Sequence, residues 1–393
     1  MHIGFYTNAY YPSINGVVRS VGSFRKALTQ LGNIVFVFSP QTEDYQDEDP
    51  FIFRYPSVDI PNFPDLPFVI PISSSIDHIL PSLKMDVIHS HHPNLLGQTA
   101  ANKASKYNLP LVFTFHSRYW EYSRYLDIGI GQDFIKDQID NMLCDYLQKC
   151  HHIITPSESL KDILSYEYGF TEQITTIPTG VELDLFDRLN KSVERRNRKW
   201  GDEIVLISAG RLAIEKNWDT VMEAAALVMQ NYPNLLLVLL GEGSEKKKLG
   251  KKARALGISD KVRMPGGIDL DEVGKYLVAA DIFCFASVAE AQGLVTLEAM
   301  ASGLPVAAVD GSGTRDILQE GVQGFLTGNS AESLAQGIEK LVASPDLRHR
   351  MGIASRKRAR QFDILNQARK LVDVYHQAIE SARAGQLIRC SKS

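Results

Sequence analysis

Apolar and polar positions along the chain switch repeatedly between a strand period and a helix period, in two successive series. In the first, short apolar runs at residues 2–7, 34–38, 86–90, 111–115, 152–155 and 174–177 read as buried strands. Between them, apolar residues at helical spacing predict helices over 17–31, 95–107, 133–149 and 157–168, the first capped by Gly32. The proline-rich span 50–71 reads as an irregular connection with room for short edge strands. Residues 184–202, DLFDRLNKSVERRNRKWGD, turn polar and basic and read as a linker. The second series follows, with strands at 204–209, 235–240, 262–264, 281–285 and 305–309 and helices at 218–231, 244–256, 270–280 and 294–302. A last helical pattern, 364–383, is placed to pack back on the first domain.

This alternation predicts mostly parallel sheets covered on both faces. The fold class is therefore α/β, as two facing Rossmann-like domains, 1–185 and 186–363, with a cleft between the carboxyl ends of their strands, where open α/β sheets bind ligands. A chain of 393 residues suits two cores better than one.

Composition narrows the function. Hydrophobic content of 44% and charged content of 22% are those of a soluble globular protein. A net charge of −4 argues against a nucleic-acid partner, since binding to phosphate backbones needs a basic footprint. Cys144, Cys150, Cys284 and Cys390 have no metal-ligand spacing and suit reduced thiols. With no charged leader and no apolar run of membrane-spanning length, the expected location is cytoplasmic, with peripheral membrane contact at most.

The most informative stretch is 286–304, ASVAEAQGLVTLEAMASGL. A buried strand runs into a loop holding Ser287, Glu290 and Gly293, and a helix begins at Leu294, so free amides and a positive dipole end are offered to an anion. Glu298 lies about 1.5 turns into that helix, so both carboxylates can reach one ligand and accept hydrogen bonds from sugar hydroxyls. Glutamates at helix starts also serve simply as dipole partners. The first strand of the second series ends in Gly210-Arg211-Leu212, followed by Lys216 at another helix start. Arginine forks onto phosphate oxygens and lysine adds a point charge, so the pair suits a diphosphate.

Other signals are weaker. The first strand, loop and helix lack a G-x-G-x-x-G, so no dinucleotide fingerprint is present. His116 follows an apolar strand at its carboxyl end. The run His89-Ser90-His91-His92 resembles a metal cluster, but its rings point different ways and no carboxylate or cysteine completes a set; lining of the acceptor side fits better. Asp269 and Asp271 form a D-x-D just before a helix, where capping acids belong.

Taken in order, Gly210-Arg211-Leu212 with Lys216, Gly241-Glu242-Gly243, Glu290 and Glu298 about Gly293, and Ala299-Met300-Ala301-Ser302-Gly303-Leu304-Pro305-Val306 resemble the retaining glycosyltransferases of the GT-B fold. The family is the large one, glycosyltransferase family 4, that includes sucrose synthase, sucrose-phosphate synthase and many bacterial lipid and polysaccharide glycosyltransferases. The resemblance covers nearly the whole chain. It implies that Arg211 and Lys216 hold the donor diphosphate and stabilise the leaving nucleotide, that Glu298 binds the ribose, and that Glu290 binds the transferred sugar. It further implies that the amides of Gln292, Gly293, Leu294 and Val295 help to hold sugar and phosphates. Arg263 and Met264 would read the base through main-chain groups, Gly16 would approach the phosphates, and His116 would face the donor sugar.

Gln292 and Thr179 depart from the phenylalanine and asparagine common in that family. The glutamine, with Phe115-His116-Ser117-Arg118-Tyr119, is similar to the subgroup that glycosylates diacylglycerol. The resemblance thus implies transfer of a hexose, glucose from UDP-glucose, to a lipid hydroxyl, with no metal and no cofactor besides the nucleotide-sugar. Polysaccharide or small soluble acceptors, a sugar-nucleotide epimerase and a sugar-nucleotide-binding protein remain the alternatives. Residues 118–125, RYWEYSRY, and the basic residues Arg19, Arg25, Lys26, Lys103 and Lys106 are candidates for contact with an anionic membrane.

Overall fold

A computed structural model describes residues 1–42, 45–60, 63–117, 119 and 132–389. The chain divides into two compact units, Met1–Gly180 together with the chain from Ile364 onward, and Val181–Asp363.

The first unit runs β1 (His2–Tyr6), α1 (Gly16–Gln30), β2 (Ile34–Pro40), β3 (Ile52–Tyr55), β4 (Ser57–Ile60), β5 (Phe63–Val69), α2 (Ser74–Ile79), β6 (Val87–Ser90), α3 (Leu96–Tyr107), β7 (Leu111–Thr114), α4 (Gln132–Leu147), β8 (His152–Thr155), α5 (Glu158–Tyr168) and β9 (Ile174–Thr176). Seven strands form one sheet in the order β3-β2-β1-β6-β7-β8-β9, and every pairing in it is parallel. The proline-rich span is more regular than its composition suggests. It supplies the parallel edge strand β3 and the antiparallel pair β4–β5.

The second unit runs α6 (Leu183–Asp187), α7 (Lys191–Asn197), β10 (Ile204–Ala209), α8 (Trp218–Asn231), β11 (Leu235–Leu240), α9 (Lys246–Ala255), β12 (Val262–Gly266), α10 (Leu270–Ala279), β13 (Ile282–Phe285), α11 (Leu294–Ala301), β14 (Val306–Val309), α12 (Ser312–Ile317), β15 (Gly324–Thr327), α13 (Ala331–Ala343) and α14 (Pro345–Ala359). Its six strands are ordered β12-β11-β10-β13-β14-β15, again all parallel. Strands such as β11, LLLVLL, are buried at every position because helices cover both faces.

The stretch read as a linker, 184–202, carries α6 and α7 instead. Two of its cations are paired and largely covered. Arg195 pairs with Asp281 at 2.9 Å and donates to the carbonyls of Gly201 and Glu203, while Arg198 pairs with Glu194 at 2.7 Å. Asp269 stands at the N-cap of α10, but its side chain makes no cap bond.

The chain ends in α15 (Ile364–Arg383), which completes the first unit. Its apolar face, with Ile364, Ala368, Leu371, Val374, Tyr375 and Ala378, shares one core with Ile3, Phe5, Val21, Phe24 and Leu28. Each such large aliphatic side chain contributes about 1.5–3 kcal/mol on burial.

Candidate active site

In both sheets the strand order reverses beside the first strand of the series, between β1 and β6 and between β10 and β13. Ligands of open α/β sheets bind outside the carboxyl ends of the strands at such a point. The predicted site residues divide between the two units, and most of them lie on the loops at these ends.

On the second unit, the loops after β10 and β13 are pinned together. The amide of Gly210 donates to Leu240 O at 3.0 Å, and Gly241 lets that carbonyl-rich turn close, since a Cβ there would lie 2.0 Å from Gly210 O. Trp218 Nε1 fixes the carbonyl of Arg211 at 3.0 Å, whereas the arginine side chain is 62% exposed and pairs with Glu215 Oε1 at 2.9 Å. Lys216 closes a short 3-10 turn and donates from Nζ to Glu290 Oε1 at 2.5 Å, across from one loop to the other. Asn217, in the left-handed region at φ 55°, starts α8 and donates to Ala286 O at 3.3 Å. Ser287 Oγ donates to Glu215 O at 3.4 Å.

Glu290 is held from behind by residues that sequence reasoning did not single out. Its carbonyl accepts from Gly313 N and from Ser312 Oγ, both at 3.1 Å, at the start of α12. A Cβ on Gly313 would meet Gln292 N and Glu290 O at 2.7 Å, so the two turns fit only with glycine there. The signal was the run Gly311-Ser312-Gly313-Thr314, small residues directly after a strand.

Gly293 takes φ 78° at the N-cap of α11, a left-handed conformation that suits glycine, and its carbonyl accepts from Thr296 N and Leu297 N. The amides of Leu294 and Val295 have no partner within the helix by helix geometry. Gln292 is buried beside them, and Glu298 lies further along α11. Arg263 and Met264 are on β12, at the edge of the sheet and separated from β10 by β11. The Arg263 guanidinium turns to Asp260 O at 2.6 Å.

On the first unit, Gly16 opens α1, with Asn15 as cap accepting from Val18 N, and a Cβ on Gly16 would meet nothing within 4 Å. His116 follows β7 and is buried. Its Nε2 lies 3.0 Å from His91 Nδ1, with the rings stacked. His89 spans Tyr375 on α15 and Thr114 on β7, at 2.8 and 2.7 Å, and His92 Nδ1 accepts from Asn8 N at 3.0 Å. Burial lowers the pKa of all four rings: His89 to about 3, His92 to about 4, and His91 and His116 well below the ordinary value. Thr179 Oγ1 meets Ser20 Oγ at 2.7 Å.

The family model described as "Glycosyltransferase Family 4" matches residues 14–185, and that described as "Glycosyl transferases group 1" matches residues 190–358. The chain is 31% identical to an alpha-monoglucosyldiacylglycerol synthase of Streptococcus pneumoniae, over 88% of this chain and 80% of that protein. The chain belongs to glycosyltransferase family 4. A second synthase of the same description, from Acholeplasma laidlawii, is 30% identical over 78% of this chain and 79% of its own length. The fold matches sucrose-phosphate synthase from Thermosynechococcus elongatus at a TM-score of 0.80 with 20% identity, covering 97% of this chain and 100% of that one. It also matches Anabaena HepE, solved with UDP-glucose, at a TM-score of 0.73 with 17% identity, covering 97% and 99%. This glycosyltransferase thus has the GT-B fold of two Rossmann-like domains.

The acceptor-side expectations fare differently. Residues 118 and 120–125 lie outside the described residues, and Tyr119 stacks at a tilt 5.6 Å from Phe115. Two of the basic residues are already paired, Arg25 with Asp49 and Lys103 with Asp77, each at 2.5 Å. Among the described residues, no helix is long and apolar enough to cross a membrane.

Proposed function

We propose that this glycosyltransferase transfers glucose from UDP-glucose, with retention of anomeric configuration, to the hydroxyl of diacylglycerol at a membrane surface. The observation that carries the donor half is the Lys216–Glu290 pair at the mouths of β10 and β13. A cation and a carboxylate side by side, under the free amides of α11, match a phosphate joined to a polyhydroxylated ring. In the structure Lys216 and Glu290 satisfy each other. On binding, Lys216 and Arg211 turn to the diphosphate and Glu290 accepts from sugar hydroxyls, while Glu298 takes the ribose.

The reaction breaks the bond from the anomeric carbon to the phosphate oxygen and forms one to the acceptor oxygen on the same face. The departing phosphate takes the acceptor proton. Arg211 and Lys216 stabilise the charge that develops on it, so positioning and electrostatics supply the acceleration without a metal. The lipid acceptor is supported by the two synthases that this chain resembles over most of its length.

Purified protein is incubated with UDP-, GDP- and ADP-sugars, with and without diacylglycerol vesicles or soluble saccharides, and products are read by mass spectrometry and the anomeric proton by NMR. An α-glucosyl lipid formed from UDP-glucose only with vesicles is the expected outcome. Glycosylated soluble saccharide in place of lipid refutes the acceptor, and sugar interconversion without any acceptor refutes transfer to it. Sedimentation with anionic vesicles tests the surface location, and protein left in the supernatant refutes it.

A further inference from the structure

The histidine cluster of the first unit contains a contact that the reading above does not use. His91 Nδ1 and His116 Nε2 are 3.0 Å apart. Both rings are buried, and burial keeps both neutral. A neutral imidazole has one N–H and one lone pair. The contact therefore has two forms: His91 donates from Nδ1 to His116 Nε2, or His116 donates from Nε2 to His91 Nδ1.

The far side of His91 decides between them. Its Nε2 is buried and has no hydrogen-bond partner among the described residues. The ring nitrogens nearby are committed elsewhere, those of His89 to Tyr375 and Thr114 and Nδ1 of His92 to the amide of Asn8. If His116 were the donor, His91 would carry its hydrogen on that orphaned Nε2. If His91 is the donor, only a lone pair is left there. A buried N–H with nothing to accept it is the rarer and costlier orphan.

We infer that His91 is a positioning residue: it donates from Nδ1 to His116 Nε2 and so fixes His116 in the Nδ1–H tautomer, which meets the substrate as a hydrogen-bond donor. This rests on the proposed function only in taking His116 to face the substrate. A fixed Nδ1–H can hold a sugar oxygen. It cannot take the acceptor's proton, which agrees with a leaving phosphate as the base.

The test uses the full-length protein labelled with nitrogen-15 in its histidine rings, read by long-range proton–nitrogen correlation at pH 7.5 and assigned with His91→Asn and His116→Gln. Protonated Nδ1 and bare Nε2 on His116, with protonated Nδ1 on His91, is expected. Protonated Nε2 on His116, or a charged ring at either position, overturns the inference. This spectrum of the unsubstituted protein decides the tautomer whether or not any variant folds, and whether or not the substrate assignment holds. In the transfer assay, His91→Leu is expected to lower kcat by at least about tenfold with KM for the nucleotide-sugar within about twofold. His91→Asn, whose amide nitrogen can stand where Nδ1 stood, is expected to recover kcat to within about threefold of the unsubstituted enzyme. Equal loss in both variants overturns the positioning role. Absence of transfer from every nucleotide-sugar by the unsubstituted protein refutes the proposed function instead, and leaves the tautomer to the spectrum.

Discussion

At the scale of single residues, Lys216 and Glu290 act as one unit. Because they contact each other at 2.5 Å and are proposed to meet adjoining parts of one ligand, Lys216→Ala and Glu290→Ala are each expected to cut turnover by more than about tenfold, or roughly 1.4 kcal/mol of transition-state stabilisation. The double variant should lose less than the product of the two losses, since each single change already disables the shared contact. Steady-state kinetics on folded protein checks this, and unimpaired turnover in either single variant removes that residue from the mechanism. Both residues were legible in the sequence because their positions next to strand ends and helix starts carry chemistry irrespective of tertiary detail. His91 was visible only as one member of a histidine run. Which ring nitrogen touches which depends on the register of β6 against β7, where His89 sits opposite Val112, and no spacing along the chain contains that information.

Elements explain how such residues are held. The Glu290 loop leans on the first turn of α12, where Gly313 leaves no room for a side chain. Gly313→Ala should therefore spread the two turns and raise KM for the nucleotide-sugar several-fold while the unit stays folded, as kinetics beside a circular dichroism melt would show. An unchanged KM would mean that the bracing is irrelevant to binding. Strands and most helices could be read from apolar periodicity because burial on both faces leaves a dense signal, as in LLLVLL of β11. The segment 184–202 misled because charge along a chain says nothing of where the partner sits. Asp281, which neutralises Lys191 and Arg195, lies far away in sequence. Helix α15 shows the reverse case, a clear amphipathic pattern whose destination needed the structure. Leu371→Ala on its buried face should lower the stability of the first unit by roughly 2–5 kcal/mol and leave the second unit unchanged, which hydrogen exchange resolved by peptide would report. Equal loss in both units would contradict the division of the chain.

The whole molecule is asymmetric in its response to acid. His89 and His92 on the first unit, with His152 on β8, have folded pKa values of about 3, 4 and 4, set by burial. A depressed histidine pKa means that the unfolded chain binds protons that the folded chain refuses, so stability is intact above the ordinary histidine pKa and falls as pH drops from there toward the folded values. At pH 5 each histidine with a folded pKa near 4 costs about 2 kcal/mol. The second unit contains a single histidine, His349, and it is exposed. Between pH 7.5 and 5 the first unit should lose exchange protection while the second keeps it; parallel loss in both would refute the assignment to buried histidines.

The ordering of the chain has a consequence for synthesis. Val181–Asp363 is one uninterrupted segment and can complete its core as soon as it leaves the ribosome. The first unit is begun earlier but closes only when the face of α15 arrives, with Tyr375 reaching back to His89. The half made first is therefore finished last, and a nascent chain of this enzyme holds an incomplete apolar sheet through the entire translation of the other half.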